Sequence, residues 1–238
     1  MLMAKVVRCV RWSVPVAVLS LALGGGARAE VLSGASDAYA LGAQLNYTVP
    51  IVGSGSVSVS PLVEATGTAA PIYNTTNQVA SVTLNSPNSG LLTGAFLHLS
   101  TGELTNNAQS NVDGGLGIRT TSASSELDGT QLSMFQLPLL GFKFLSLGAT
   151  AITQTASVTG DFGASTATGS LNVTDLNLNI LGNTFSFNGT VLANTHLALG
   201  ALGAFVSVTL NEQTIAADGS SIDSNAIHVH VNGLSLDG

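Results

Sequence analysis

The chain has 238 residues, 45% apolar and only 8% charged, with six basic against thirteen acidic side chains and a net charge of −7. That balance excludes a disordered polyelectrolyte, which is poor in apolar residues, and a nucleic-acid binder, which needs Lys and Arg to neutralise phosphate. It also argues against a helical protein, whose wet faces carry Lys, Glu and Arg; Ser, Thr, Asn and Gly cover the surface here, as in strands and turns.

Residues 1–29 read as an export signal. Lys5, Arg8 and Arg11 form a basic start, Val14 to Leu23 an apolar middle, and Ala27-Arg28-Ala29 a cleavage site with small residues at both recognition positions. The apolar run falls short of the about 20 residues that span a bilayer. It predicts a signal-peptide helix, removed on export, with no transmembrane segment in what remains. Removal leaves two basic residues, Arg119 and Lys143, against thirteen acids, a net charge of −11. Cys9 and Trp12 leave with it, so residues 30–238 contain no thiol and must form their core without disulfides.

Downstream, period-two alternation recurs and no capped 3.6-residue period is sustained. Residues 30–50 are weakly periodic and suit a loosely held first strand. Ser54 to Ser60 alternates strictly; Ala80, Val82 and Leu84 share a face, as do Ala95, Leu97 and Leu99. Leu132 to Leu147 is nearly all apolar and predicts a buried strand pair broken at Pro138. Thr150 to Val158 alternates again. Ser170 to Asn188 predicts a hairpin that turns at Gly182-Asn183, with a β-bulge at Thr174-Asp175 where the apolar phase slips from odd to even positions. Phe205 to Val231 predicts a last hairpin that turns at Asp218-Gly219-Ser220-Ser221, with Ile227, Val229 and Val231 on one face and His228 and His230 on the other. Turns every 10 to 20 residues and the absence of an internal linker give an all-β, single-domain antiparallel β-sandwich over 30–238, with a β-solenoid or β-roll as the alternative.

Chemistry-bearing patterns are sparse. His228-Val229-His230 puts two imidazoles on one strand face, a geometry that can ligate zinc with a third ligand such as His98 or His196. Asn111 to Gly114, Glu126 to Gly129, and Asp218 to Asp223 gather acids with amides or glycine in the manner of turns. Each offers one or two carboxylates, whereas calcium takes six to eight oxygens. The metal candidates are therefore His228, His230, Asp218 and Asp223, with calcium left open and no other cofactor expected. There is no G-x-S-x-G elbow and no phosphate-cradling loop. No catalytic residue is assigned. Tyr39, Tyr47 and Tyr73 are the only tyrosines available to stack a sugar, and core packing accounts for each. The Asn-x-Ser/Thr triplets at Asn46, Asn74, Asn172 and Asn188 read as structural.

The second half carries Gly169-Ser170-Leu171-Asn172-Val173, then V-S-V-T-L-N-E-Q-T from Val206 to Thr214 and N-A-I-H-V-H-V from Asn225 to Val231. With V-A-S-V-T-L at Val79 to Leu84 and S-G-L-L-T-G-A at Ser89 to Ala95, this resembles the bacterial choice-of-anchor P family over roughly Gly53 to Val231. The resemblance implies export and a surface-anchoring signal that differs among members. The sequence departs from that pattern by ending at Asp237-Gly238 with no anchoring motif. It supplies no active-site residue, and Glu212 within the shared stretch reads as structural.

Three functions are consistent with these features. The first is a secreted or cell-surface structural or adhesive module, non-enzymatic, whose partner is an extracellular ligand or envelope component. The second is an extracellular carbohydrate- or calcium-binding module, and the third a hydrolase with a non-obvious site.

Overall fold

The computed structural model describes residues 2–5, 31, 33–40, 42–49, 53–59, 63–85, 97–137, 142–161, 164–204 and 206–231. Among them there is no α-helix, and so none long and apolar enough to cross a membrane. The strands are β1 (Leu2–Lys5), β2 (Gly34–Ala38), β3 (Gly42–Val49), β4 (Gly53–Val59), β5 (Ala65–Ala69), β6 (Tyr73–Val79), β7 (Val82–Asn85), β8 (Leu97–Thr101), β9 (Leu104–Ser110), β10 (Arg119–Leu137), β11 (Phe142–Asp161), β12 (Ala164–Ile180), β13 (Asn183–Val191), β14 (Thr195–His196), β15 (Val206–Ile215) and β16 (Ile222–Val231).

All pairings are antiparallel, and the sheets are open. The large sheet is a meander. β10, β11, β12 and β13 follow one another across it, and β8 and β9 share the other edge of β10 in one register. β7 and β6 extend that edge in the same way, so each acts as half of a longer strand. A second sheet has the order β14-β15-β16-β1-β3-β4, and β2 pairs with β5 separately. β15 and β16 pack on β11 and β12, while β2 and β5 pack on β9 and β10. The large sheet is thus covered on one face by two smaller layers, the antiparallel β-sandwich that the alternation predicts.

The core lies between these layers. Leu104, Leu145, Ile152, Leu171, Leu176 and Ile180 are almost fully buried and share one apolar cluster with Leu210 and Ile222 of the facing sheet. Burying each such side chain contributes about 2 kcal/mol. A void of about 30 Å³ between Leu99, Leu127, Ile152 and Ile227 is apolar and belongs to this packing.

The inward phase reverses along a single transverse line of the large sheet. In β10 the buried positions are 121, 123, 125 and 127, then 130 and 132. In β11 they are 145, 147 and 149, then 152, 154, 156 and 158, and in β12 they are 171 and 173, then 176, 178 and 180. The reversals fall at Gly102-Glu103, Asp128-Gly129, Thr150-Ala151 and Thr174-Asp175. These are level with one another, because Asp128 pairs with Ala151 and Ala151 with Thr174. At each, two consecutive residues turn away from the core, so the sheet bends there. Asp175 and Gly129 adopt positive φ (52° and 55°) to make the bend. The bulge expected at Thr174-Asp175 is present. Glu126 to Gly129 is no turn, however: it lies mid-strand on this crease.

Other expectations meet small corrections. The hairpin after β12 turns at Leu181-Gly182, one residue earlier than read, because Ile180 and Asn183 form the closing pair. Both turn residues have positive φ (50° and 86°), as the primed turn requires. β15 and β16 form the final hairpin, with Ile227 and Val229 buried and His228 and His230 half-buried on the opposite face. Leu137 pairs with Phe142 where the apolar stretch folds back, while residues 138–141 lie outside the described residues. Of the segment read as an export signal, residues 6–30 are likewise outside. Leu2–Lys5 form a strand between β16 and β3 rather than the start of a helix. Cleavage after Ala29 would remove that strand.

One polar junction joins the sheets. Gln154 is fully buried, and its Nε2 donates to Asn211 Oδ1 (3.3 Å) and to Ser224 Oγ. Gln213 Nε2 also donates to Asn211 Oδ1 (2.8 Å), and Asn211 Nδ2 donates to the Val191 carbonyl (2.8 Å). Asn211 sits at φ 49°, where β15 reverses its own inward phase. Asn211→Ala should therefore cost about 3 kcal/mol in chemical denaturation, combining a stranded buried amide with left-handed strain. Asn211→Gly, which removes the strain alone, should recover about 1 kcal/mol of that loss.

Candidate functional site

The four metal candidates do not converge. Asp218 lies in the 216–221 loop, where its Oδ1 accepts from Ser220 N (3.0 Å) and Ser220 Oγ (2.6 Å). Those bonds, the hydroxyl first, hold its carboxyl below the ordinary range against the small opposing effect of desolvation. Asp223 is at the start of β16, some 16 Å along the strand from His228 at ~3.3 Å per residue. His228 Nδ1–H donates to Glu212 Oε1 (2.9 Å), whose Oε2 accepts from Asn225 Nδ2 (2.7 Å). The lone-pair nitrogen of His228, Nε2, is then buried without a partner. A carboxylate behind Nδ1 is compatible with a metal at Nε2, but that nitrogen is buried. His196 Nδ1 bonds Thr209 Oγ1 (2.9 Å), and His98 lies in the other sheet. No three His, Cys, Asp or Glu side chains among the described residues stand close enough to hold a metal. Glu212 serves the strand pair, as read. The other acidic turn, at Asp113, bonds Gly115 N (2.8 Å) and Arg119 (2.7 Å), and the same contacts hold its carboxyl low.

A different constellation emerges on the outer face of the large sheet, below the crease. Alternation places every second side chain of each strand there, and the register aligns them in rows. One row runs Asn85, His98, Ser133, Ser146, Asn179, Thr184 across six strands. The next runs Thr83, Ser100, Gln131, Gly148, Asn177, Ser186. Their central members, from His98 and Gln131 across to Asn177, Asn179 and Thr184, line a trough of about 400 Å³ together with Leu132, Leu147 and Leu178. Above Gly148 there is open space where a side chain would otherwise fill the floor. The lining carries no acid and no Lys or Arg, and His98 is its one titratable group.

Neighbouring contacts fix the rim amides. Asn179 Oδ1 accepts from Gly182 N (3.1 Å) and its Nδ2 donates to Thr184 Oγ1 (3.1 Å), so the turn orients it. Asn177 Nδ2 donates to the Asp175 carbonyl (3.0 Å) at the crease, and its Oδ1 accepts from Ser186 (2.7 Å). His98 Nδ1–H donates to Asn85 Oδ1 (2.5 Å). No hydrogen bond of the Gln131, Ser133 or Ser146 side chains occurs among the described residues, so amide and hydroxyl groups at the floor keep their bonding capacity. The upper half of the same face pairs many of its hydroxyls across strands, as in Thr155 with Ser170 (2.8 Å) and Ser157 with Thr168 (3.0 Å).

No protein-family model, no curated protein and no solved structure matches the chain. The trough was not singled out in sequence, although each of its rows is the polar half of an alternating run. The signal that could have found it is the density of Asn, Gln and Ser on the wet face of strands whose other face is Leu.

Two outcomes separate binding groups from scaffold. Gln131→Ala and Ser133→Ala should leave stability within about 0.5 kcal/mol. Asn179→Ala, which releases the turn, should cost about 1 kcal/mol in the same denaturation experiment. The Asp218 loop has a pH signature. Because the folded carboxyl titrates below its unfolded value, its contribution is present above the unfolded pKa and is lost as pH falls through the folded one. Carbon-detected NMR titration should place Asp218 below the usual carboxylate range, and Ser220→Ala should move it back up.

Proposed function

We propose that this chain is an exported, non-enzymatic adhesive module that holds a neutral carbohydrate in the outer-face trough. The observation that carries this reading is the lining itself: amides, hydroxyls and one imidazole in two registered rows, over Gly148 and beside Leu132, Leu147 and Leu178, with no charged side chain. Such groups both donate and accept, which matches sugar hydroxyls, and their neutrality gives no purchase to phosphate or cations. Across strands the rows repeat every ~4.8 Å, a spacing suited to a ligand of repeated hydroxyl-bearing units. The rim amides are held by the sheet before any ligand arrives, which lowers the ordering cost of binding. A single imidazole with no acid beside it favours binding over acid–base turnover, which pairs titratable groups.

The export reading of residues 1–29 supports a place outside the cytoplasm, and the resemblance to the choice-of-anchor P family supports the same. The large acidic excess suits a surface that stays soluble and repels anionic lipid.

The test is a neutral-glycan array followed by calorimetry on the best binder. Binding should survive high salt, since no ion pair contributes, and Q131A and H98A should each weaken it about tenfold. An array without a neutral binder, or affinity untouched by both variants, would overturn the reading.

A further inference from the structure

The large sheet ends in an edge that natural β-proteins usually defend. Among the described residues β6 hydrogen-bonds β9 on one side only. Its sequence is Tyr-Asn-Thr-Thr-Asn-Gln-Val, and every residue after Tyr73 is exposed. About half of its backbone N–H and C=O groups therefore face outward without a strand to receive them. The usual protections are a lysine, a proline, a bulge or a very short strand, and β6 has none of them. Other edges differ. β14 has two residues, and β13 is distorted by Gly189 at φ 89° opposite the bulge in β12.

We infer that β6 pairs antiparallel with β6 of a second copy, continuing the large sheet through a two-fold axis. The segment is self-complementary about Thr76. Centred there, Tyr73 meets Val79, Asn74 meets Gln78, and Thr75 meets Asn77. The first sets an aromatic against a β-branched chain and Thr76 meets its own copy, both favoured cross-strand pairs, while the others set groups that both donate and accept against one another. Opposed residues also point to the same face. Tyr73, Thr75, Asn77 and Val79 are level with the inward Ser110, Ala108, Asn106 and Leu104, so both copies would present matching faces.

Charge permits a second copy at this place. The chain is strongly acidic, so two copies repel wherever their carboxylates meet. From Ala65 to Gly102, however, there is no Asp, Glu, Lys or Arg at all. β6 lies inside that window and carries no charge of its own; the carboxylate beside it is Glu103, which accepts from Gln78 Nε2 (2.5 Å) on the β9 side of the strand, away from the open edge. The interface is isologous, and such closed contacts stop at the dimer.

Light scattering and sedimentation velocity of the full chain across the micromolar range should show a concentration-dependent dimer, with hydrogen exchange protecting 73–79 as it forms. T76K and T76E each set like charges across the axis and should raise the dissociation constant about tenfold or more. Mixing the two variants in equal amounts should restore the dimer, because opposite charges then meet. That rescue also shows both variants to be folded. A wild type that stays monomeric, protection elsewhere than 73–79, or a mixture no tighter than either variant alone would overturn the inference.

Discussion

A strand of seventeen to twenty residues that must keep one face dry cannot alternate without interruption in a twisted, curved sheet. β10, β11 and β12 meet this constraint together, by reversing phase on a shared line. Were the reversals staggered, a leucine on one strand would face the core beside a leucine on its neighbour facing water. Because they are level, both halves of the sheet keep Leu, Ile, Val and Ala inward, and the bend is absorbed by Asp, Thr and Gly. The smaller layers then sit on one face of the large sheet. The outer rows of Ser, Thr, Asn and Gln below the crease line up for the same reason.

The core formed this way is almost wholly aliphatic, and its chain has one cysteine, so no intramolecular crosslink fixes the layers. Aliphatic packing alone is tolerant of sliding, since volume and pattern can be kept in several arrangements. The Gln154, Asn211 and Ser224 junction is not. Its amides must meet at one offset or lie buried and unbonded, which costs more than the bonds contribute. Asn211 adds a local condition, because its left-handed backbone also sets where β15 turns from one face to the other. One residue thereby ties strand phase to sheet offset.

Charge and binding capacity are separated on the surface. Several acids lie on the crease and in the loops, as with Glu103, Asp128, Asp175, Asp113 and Asp218, while the trough lining and the residues of β6 carry no charge. A hydroxyl-rich ligand and an identical strand are both partners that a neutral hydrogen-bonding surface accepts.

Alternation alone was enough to determine the all-β class, the final two hairpins and the bulge at Thr174-Asp175, because side-chain direction in a strand is a local property with a fixed period. The histidines of β16 were correctly placed on the face opposite Ile227 and Val229 for the same reason. Local pattern misled at Glu126 to Gly129, where acid and glycine mark a bend inside a strand as readily as a turn between strands. It also misled in grouping Asp218 and Asp223 with His228 and His230, which are near in sequence but do not converge. Only tertiary structure decided the rest: that the phase reversals are level, that Asn85, His98, Ser133, Ser146, Asn179 and Thr184 form one row, and that β6 is an edge. Each depends on strand register across segments tens of residues apart, which is set by the fit of the layers and not by any neighbouring residue.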